Sequence, residues 1–270
     1  MTMPGDAEPP AGQAAPRSEL ALRVATAAIA APIVLLATWA GGIWFAILIA
    51  LAIGIGGHEW SRICNIDRPS SVALLAMVGP VMAIAIVTGG ATAGLLVLAL
   101  MAVSAFGGGS AVARMWSAAG VIYLGIATVA ILVLRSDPQS GLEALIFLFG
   151  VVWLTDIGAY AFGRLIGGPR LAPSISPGKT WAGAIGGFAL AVAGAQAGAL
   201  LFALDPPMGA IAMAIFLSIA TQCGDLLESW VKRRFDKKDS GTIIPGHGGI
   251  LDRIDGLLIA APVMAAISIF

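Results

Sequence analysis

Long apolar runs recur along most of the chain and constrain its fold more than any other feature. Of the 270 residues, 59% are hydrophobic and only 11% are charged, and the mean hydropathy is +0.94. A soluble domain carries about 25% charged residues, so this chain has too few charges to cover a surface exposed to water. Lipid is therefore the predicted solvent. The formal net charge of zero indicates no nucleic-acid partner.

Crossing a bilayer by helix takes about 20 apolar residues, and nine stretches approach that length. They lie at about residues 22–40, 43–60, 72–88, 91–106, 119–134, 143–163, 182–203, 208–228 and 254 to the end. Glycines at 41–42, 89–90 and 107–109 separate several of them. We predict an all-α polytopic membrane protein, a bundle of about nine transmembrane helices with two polar cytoplasmic loops. Residues 1–18, rich in Pro, Ala and Gly, are predicted to be a disordered tail, and residues 19–270 a single transmembrane domain.

Basic residues predict how the bundle is oriented, because Lys and Arg favour cytoplasmic loops. With the N-terminus inside, almost all of them fall on the inner side: Arg17, Arg23, Arg62, Arg68, Arg114, Arg164, Arg170, Lys179 and the 230–253 cluster. Only Arg135 falls outside. Both polar loops, at about 164–181 and 230–253, then face the cytoplasm. We expect a multi-pass protein of the cell (inner) membrane whose active site faces the cytoplasm.

The most polar stretch of the chain runs from Ser229 to Gly256. Five basic residues lie within seven positions: Lys232, Arg233, Arg234, Lys237 and Lys238. A glycine-rich turn at 245–249 follows, and then the carboxylates Asp252 and Asp255. Carboxylate oxygens hold a hard ion such as Mg²⁺, and Lys and Arg neutralise phosphate charge. This combination is typical of a site that handles phosphate with a divalent metal.

Acidic residues inside the predicted spans include Asp156, Asp225, Glu228 and Asp255. Ionisable residues are costly in a membrane and are functional candidates by default. Asp225 and Glu228 share a helix face at i and i+3, and Asp252 and Asp255 have the same spacing. Two such pairs can converge on a metal ion. By themselves they can equally line a proton or cation pathway.

Two further features near the second span and in the apolar runs have plainer interpretations. Glu59, beside His58, is predicted to be an interfacial residue paired with the nearby Arg62.

The two cysteines, Cys64 and Cys223, lie far apart in apolar surroundings. We predict that both are small buried side chains rather than partners in a disulfide or a zinc site.

The first polar loop has its own pattern of phosphate-binding groups. Ser176, Lys179 and Thr180 lie just ahead of the seventh predicted helix, and hydroxyl and N–H groups at a helix N-terminus bind phosphate readily. Gly-Lys-Thr also ends a P-loop, but Pro173 stands where that motif needs glycine, and no strand is expected before it. A soluble P-loop fold is therefore excluded.

Together these motifs resemble those of the phosphatidate cytidylyltransferase family, also called CDP-diacylglycerol synthases. The C-terminal pattern of that family is matched, in order and at its spacing, by Ser229, Lys232-Arg233, Lys238-Asp239, His247-Gly248-Gly249 and Asp252-Arg253-Ile254-Asp255. Its upstream pattern is matched by Asp156 to Tyr160, Gly163-Arg164 and Ser176-Pro177-x-Lys179-Thr180-Trp181. The first 140 residues match only in hydropathy. Ala182 and Gly178 depart from the family, since many relatives carry Glu and Lys there.

The resemblance implies a nucleotidyltransferase of phospholipid biosynthesis that uses Mg²⁺. It would transfer CMP from CTP to phosphatidate and give CDP-diacylglycerol and pyrophosphate. The implied catalytic residues are Asp225, Lys232, Arg233, Asp252, Arg253 and Asp255, of which Asp225, Asp252 and Asp255 hold the metal. The implied substrate-binding residues are Asp156, Ser176, Lys179, Thr180, Ser229, His247, Gly248 and Gly249. CTP and phosphatidate are the expected partners, and a homodimer is a further expectation.

Two other functions have to be weighed against this one. Asp252-x-x-Asp255-Gly256 resembles the opening of the CDP-alcohol phosphatidyltransferase motif, but Ile259-Ala260 stands where that motif has Ala-Arg, and no acidic residue follows. That function fails on the sequence. An ion-coupled membrane transporter that uses the buried acids remains the alternative, and incorporation of labelled CTP into lipid separates the two classes.

Overall fold

Helices make up most of the computed structural model, which describes residues 17–201, 207–243 and 248–269. In this part of the chain the helices are α1 (Arg17–Ala40), α2 (Gly42–Ile63), α3 (Pro69–Ser104), α4 (Ala111–Ser136), α5 (Gly141–Leu165), α6 (Trp181–Leu201), α7 (Pro207–Arg234) and α8 (Leu251–Ile269). Two short strands, β1 (Arg170–Ala172) and β2 (Ser176–Thr180), lie between α5 and α6. The predicted tail, apart from its last two residues, lies outside the described residues.

Five of the described helices are long and apolar enough to cross a membrane: α2, α3, α4, α5 and residues 209–234 of α7. Their outer faces carry large apolar side chains, such as Leu100 and Val103, that are more than two-thirds exposed. Such faces suit lipid rather than water. The chain is therefore a multi-pass, all-α membrane protein, as predicted. The count of nine spans stays a prediction.

Helix α3 bends back on itself at Gly90, where a break between two spans is predicted. Its 36 residues would extend about 54 Å as one straight helix, which is longer than a bilayer core is thick. Gly90 is non-helical, with φ 70° and ψ −167°. A Cβ on Gly94 would lie 2.6 Å from Ile86 Cγ1, although positions eight residues apart lie about 12 Å apart along a straight helix. The two halves therefore lie side by side.

Small residues let the helices in the first half of the chain pack backbone to backbone. A Cβ on Gly57 would collide with the carbonyl of Leu75, and one on Gly79 with the carbonyl of Ala50. This close packing of α2 on α3 buries Leu75 and Met82 completely. In a membrane such packing, rather than water exclusion, holds helices together.

Close packing at glycines also brings acidic residues of the second half of the chain together. A Cβ on Gly224 of α7 would lie 2.5 Å from the carbonyl oxygen of Asp255 on α8. On the neighbouring pair, a Cβ on Gly158 of α5 would lie 2.8 Å from the carbonyl oxygen of Gly186 on α6. Because the backbones touch at these crossings, Asp225 and Asp255 are held next to each other.

The first predicted polar loop contains an antiparallel hairpin that the sequence did not predict. Arg170 is opposite Thr180, and Ala172 is opposite Ser176. Pro173 and Pro177 obscure the strand pattern, because proline is unusual within strands. The expectation that no strand precedes Lys179 is therefore wrong, although Pro173 still excludes a P-loop.

The second predicted loop is shorter than expected, since α7 continues to Arg234 and α8 begins at Leu251. Cys64 is buried, as predicted, and burial raises the pKa of its thiol to about 12. The prediction is wrong for Cys223, which is exposed on α7.

Candidate active site

A charged cavity of about 760 Å³ lies at the end of the bundle where α5 and α7 end and α6 and α8 begin. The hairpin forms part of its wall. Its cationic lining residues are Arg164, Arg170, Lys179, Lys232 and Arg253. Its acidic lining residues are Asp156, Asp225, Glu228, Asp239, Asp252 and Asp255. A concave site with convergent polar groups of both signs suits an anionic ligand together with a cation.

Most of the predicted site residues meet in this cavity, although they are spread over a hundred positions of the sequence. Those that line it are Asp156, Lys179, Thr180, Asp225, Lys232, Asp252, Arg253 and Asp255. The two polar stretches predicted from the sequence therefore form one site.

The other predicted residues lie outside the cavity lining, and their roles stay predictions. This holds for Ser176, Ser229, Arg233, Gly248 and Gly249. Arg233 instead ties the end of α7 to the hairpin turn, because its Nε donates to the carbonyl of Ile175 at 3.2 Å. His247 lies outside the described residues.

Lys179 and Thr180 place the hairpin over the cavity in different ways. Lys179 Nζ lies 2.5 Å from Asp225 Oδ2 and so joins β2 to α7. Thr180 Oγ1 accepts a hydrogen bond from the backbone N–H of Gly183 at 3.1 Å. The threonine therefore caps the start of α6.

Lys232 lies in the last turn of α7 between two carboxylates. Its Nζ donates to Asp252 Oδ1 at 2.6 Å and to Glu228 Oε2 at 3.1 Å. The charge-assisted bond to Asp252 links α7 to α8 on the wall of the cavity, and the bond to Glu228 lies within α7. The ammonium of Lys232 is thereby balanced before any substrate binds.

Both oxygens of Asp252 already accept N–H bonds. Besides Lys232, the backbone N–H of Ser240 lies 3.0 Å and that of Gly249 lies 2.8 Å from Oδ2. Gly248, with φ +81°, turns the chain so that these donors converge, and a Cβ there would lie 2.7 Å from Asp252 Oδ2. Asp252 therefore closes the loop onto α8, and it can bind a metal directly only by giving up some of these bonds.

The remaining acids form a cluster whose charge is only partly balanced. Asp255 interacts electrostatically with Asp225, Glu228 and Asp156. Glu228 is 1% exposed, and its Oε1 is buried with no hydrogen-bond partner among the described residues. Burying a carboxylate oxygen without a partner is costly, and a hard divalent cation would satisfy it. These oxygens fit Mg²⁺ chemically. Among the described residues, however, no group of three or more His, Cys, Asp or Glu side chains is arranged closely enough to hold a metal ion.

One further wall of the cavity could be predicted from the sequence. Asp156, Tyr160 and Arg164 recur every four residues and so follow one face of α5. Arg164 Nη1 lies 3.2 Å from the hydroxyl of Tyr160. This stripe was visible in the sequence, whereas Arg170 and Gln222 line the cavity without any local pattern.

The interfacial role predicted for Glu59 is wrong. Its side chain is 1% exposed, and its carboxylate accepts hydrogen bonds from the backbone of Ile250 and Leu251. Glu59 lies in α2, far from the motif in sequence, so no local pattern could predict this contact.

The fold and the cavity define a class of protein: a multi-pass helical membrane protein with a mixed-charge site at one end of its bundle. The sequence profile of the cytidylyltransferase family matches residues 21–270. The chain belongs to this family, which confirms the resemblance drawn from its motifs.

Individual relatives agree with the family match. The phosphatidate cytidylyltransferase of Brucella suis biovar 1 (strain 1330) is 43% identical over 254 residues, covering 92% of each chain. That of Staphylococcus haemolyticus is 46% identical over 147 residues, which cover 53% of this chain and 55% of the relative. That of Bacillus subtilis is 42% identical over 142 residues, which cover 52% and 53%.

Proposed function

We propose that the protein is a phosphatidate cytidylyltransferase, which forms CDP-diacylglycerol and pyrophosphate from CTP and phosphatidate. The observation that carries the proposal is the cavity, in which the cations and carboxylates of the two polar segments meet. The proposal is supported by relatives that bear this name and are similar along 92% of the chain.

The reaction joins two anions, so charge neutralisation is the main task of the site. A phosphate oxygen of phosphatidate attacks the α-phosphorus of CTP. The bond between the α-phosphorus and the oxygen that bridges it to the β-phosphorus breaks, and this oxygen leaves as part of pyrophosphate. No protein nucleophile is needed. Lys179, Arg164, Arg170 and Arg253 on the cavity wall would reduce the repulsion between the two phosphates and stabilise charge on the leaving group.

The carboxylate cluster would hold Mg²⁺, which when bound neutralises phosphate charge and polarises the phosphoryl group. Asp225, Glu228 and Asp255 supply oxygens with the right chemistry. Asp252, the third predicted ligand beside Asp225 and Asp255, would act chiefly by holding Lys232 and the loop. Asp156 lines the same cavity and interacts electrostatically with Asp225, and we propose that it adds a further oxygen to this set.

The position of the cavity suits substrates that arrive from two phases. It lies at one end of the bundle, beside exposed apolar residues such as Leu165, Ile166 and Ile185. Phosphatidate would reach it from the lipid and CTP from the cytoplasm. Because of the charge distribution, we propose that the protein lies in the cell (inner) membrane with this end facing the cytoplasm. Because of the family resemblance, we propose that it forms a homodimer.

The test is conversion of labelled CTP by detergent-solubilised protein, with and without phosphatidate and with EDTA. We expect a CDP-lipid that forms only with phosphatidate and disappears with EDTA. Folded protein that gives no product with Mg²⁺ present would contradict the proposal. Ion uptake by reconstituted vesicles without any CDP-lipid would support the transporter instead.

A further inference from the structure

Glu59 joins the first half of the chain to the turn that begins α8. Its Oε1 accepts the backbone N–H of Ile250 at 3.0 Å, and its Oε2 accepts that of Leu251 at 2.8 Å. The hydroxyl of Ser240 donates to Oε2 at 3.2 Å. These partners lie between 181 and 192 positions away in sequence. The contact is therefore purely tertiary.

A carboxylate suits this position because the first N–H groups of a helix have no partner within the helix. It accepts their hydrogen bonds and interacts favourably with the positive end of the helix dipole. Ser240 extends the arrangement, since its Oγ accepts the N–H of Asp252 at 3.3 Å. Glu59 and Ser240 together satisfy three consecutive N–H groups, those of residues 250–252.

Two glycines leave room for the Glu59 side chain. A Cβ on Gly241 would lie 2.6 Å from Glu59 Oε1, and one on Gly249 would lie 2.5 Å from Oε2. Gly249 belongs to the His-Gly-Gly motif, and the family resemblance implies that it binds substrate. In the structure that glycine makes room for Glu59.

We propose that Glu59 is a positioning residue for the reaction, an inference that rests on the proposed function. It fixes the first turn of α8, and this turn carries Asp252, Arg253 and Asp255 into the cavity. Asp255 must face Asp225 across the crossing of α7 and α8. A shift of about 1 Å in a reacting group can cost about a hundredfold in rate, so a loosened turn slows the chemical step.

Glu59→Gln tests this with little change in side-chain volume. The amide keeps one acceptor oxygen, but its NH₂ group would face a backbone N–H instead of accepting from it. We expect kcat to fall at least about tenfold while KM for CTP changes less than about threefold. Hydrogen–deuterium exchange at the amides of residues 250–252 should become faster.

Ser61→Ala is the matched control. Ser61 lies two positions away and is also 1% exposed, and its hydroxyl donates to the carbonyl of His58 within α2. It should leave kcat and the exchange at residues 250–252 near wild type. A general weakening of α2 would instead affect both variants.

Folded Glu59→Gln protein with kcat within about twofold of wild type would overturn the proposal. Reduced kcat with unchanged exchange at residues 250–252 would also overturn it. If this variant does not fold, Ser240→Ala tests the same contact from the other side, because it removes the hydroxyl that donates to Glu59 Oε2, with the same readouts and outcomes. Wild-type protein that forms no CDP-lipid would remove the proposed function, whereas the exchange comparison would still decide whether Glu59 holds the turn.

Discussion

Lys179 Nζ lies 2.5 Å from Asp225 Oδ2, so a cation of the hairpin is paired with an acid of α7 across the cavity. Both side chains are partly exposed there, at 25% and 36%. A triphosphate offers Lys179 a stronger anion than one carboxylate. In the proposed reaction, CTP would draw Lys179 onto phosphate and free Asp225 for the proposed metal ion.

Lys179→Ala should lower kcat/KM for CTP by about a hundredfold, because a positioned charge on a transferring phosphate contributes about that much. Initial rates of CDP-lipid formation at varied CTP measure it. Lys237→Ala is the control, since Lys237 is exposed and lies outside the cavity lining. Equal losses in both variants would show that only the overall positive charge matters.

Asp255→Asn should mainly reduce turnover, whereas Asp252→Asn should mainly reduce the stability of the fold. Asp255→Asn should lower kcat about a hundredfold or more with little loss of thermal stability, because it removes one of several crowded carboxylates. Asp252→Asn should destabilise the fold by about 1–3 kcal/mol, because its NH₂ group would face Lys232 and the N–H groups of Ser240 and Gly249. Thermal unfolding and turnover of each purified variant provide the comparison. Near-normal turnover of folded Asp255→Asn would refute its assignment to the active site.

Gly224→Ala should destabilise the fold by about 1–3 kcal/mol and lower activity, because the new Cβ would lie 2.5 Å from the carbonyl of Asp255 and push α8 away. Gly150→Ala is the control in another membrane helix, since no atom lies within 4 Å of a Cβ there. It should be neutral or slightly stabilising. Thermal unfolding in detergent measures both, and an unchanged midpoint for Gly224→Ala would rule out the close crossing.

Cys64 should resist maleimide at pH 7 to 8 in native protein. It is 4% exposed, and burial raises the pKa of its thiol to about 12, so the reactive thiolate is scarce in this range. Labelling of a Cys223→Ser variant, before and after denaturation, checks this by mass spectrometry. Rapid labelling of the native variant would show that the C-terminal end of α2 opens readily.

The sequence by itself determined the class of the protein and brought forward most of the charged residues that line the cavity. Apolar length is a local property, so the long helices could be predicted, and the break at Gly90 needed only the backbone freedom of glycine. The C-terminal motif brought Asp252, Arg253 and Asp255 forward as candidates because its residue types and spacing are local too.

Only the tertiary structure decided which of these residues hold the loop and α8 in place and which line the cavity with carboxylates or cations. The saturation of Asp252 by Lys232, Ser240 and Gly249 depends on how a loop closes onto α8. The hydrogen bond from the N–H of Ile250 to Glu59 joins positions 191 apart in the chain. Such contacts are set by helix crossings, where glycines let backbones touch, and no window of the sequence contains both partners.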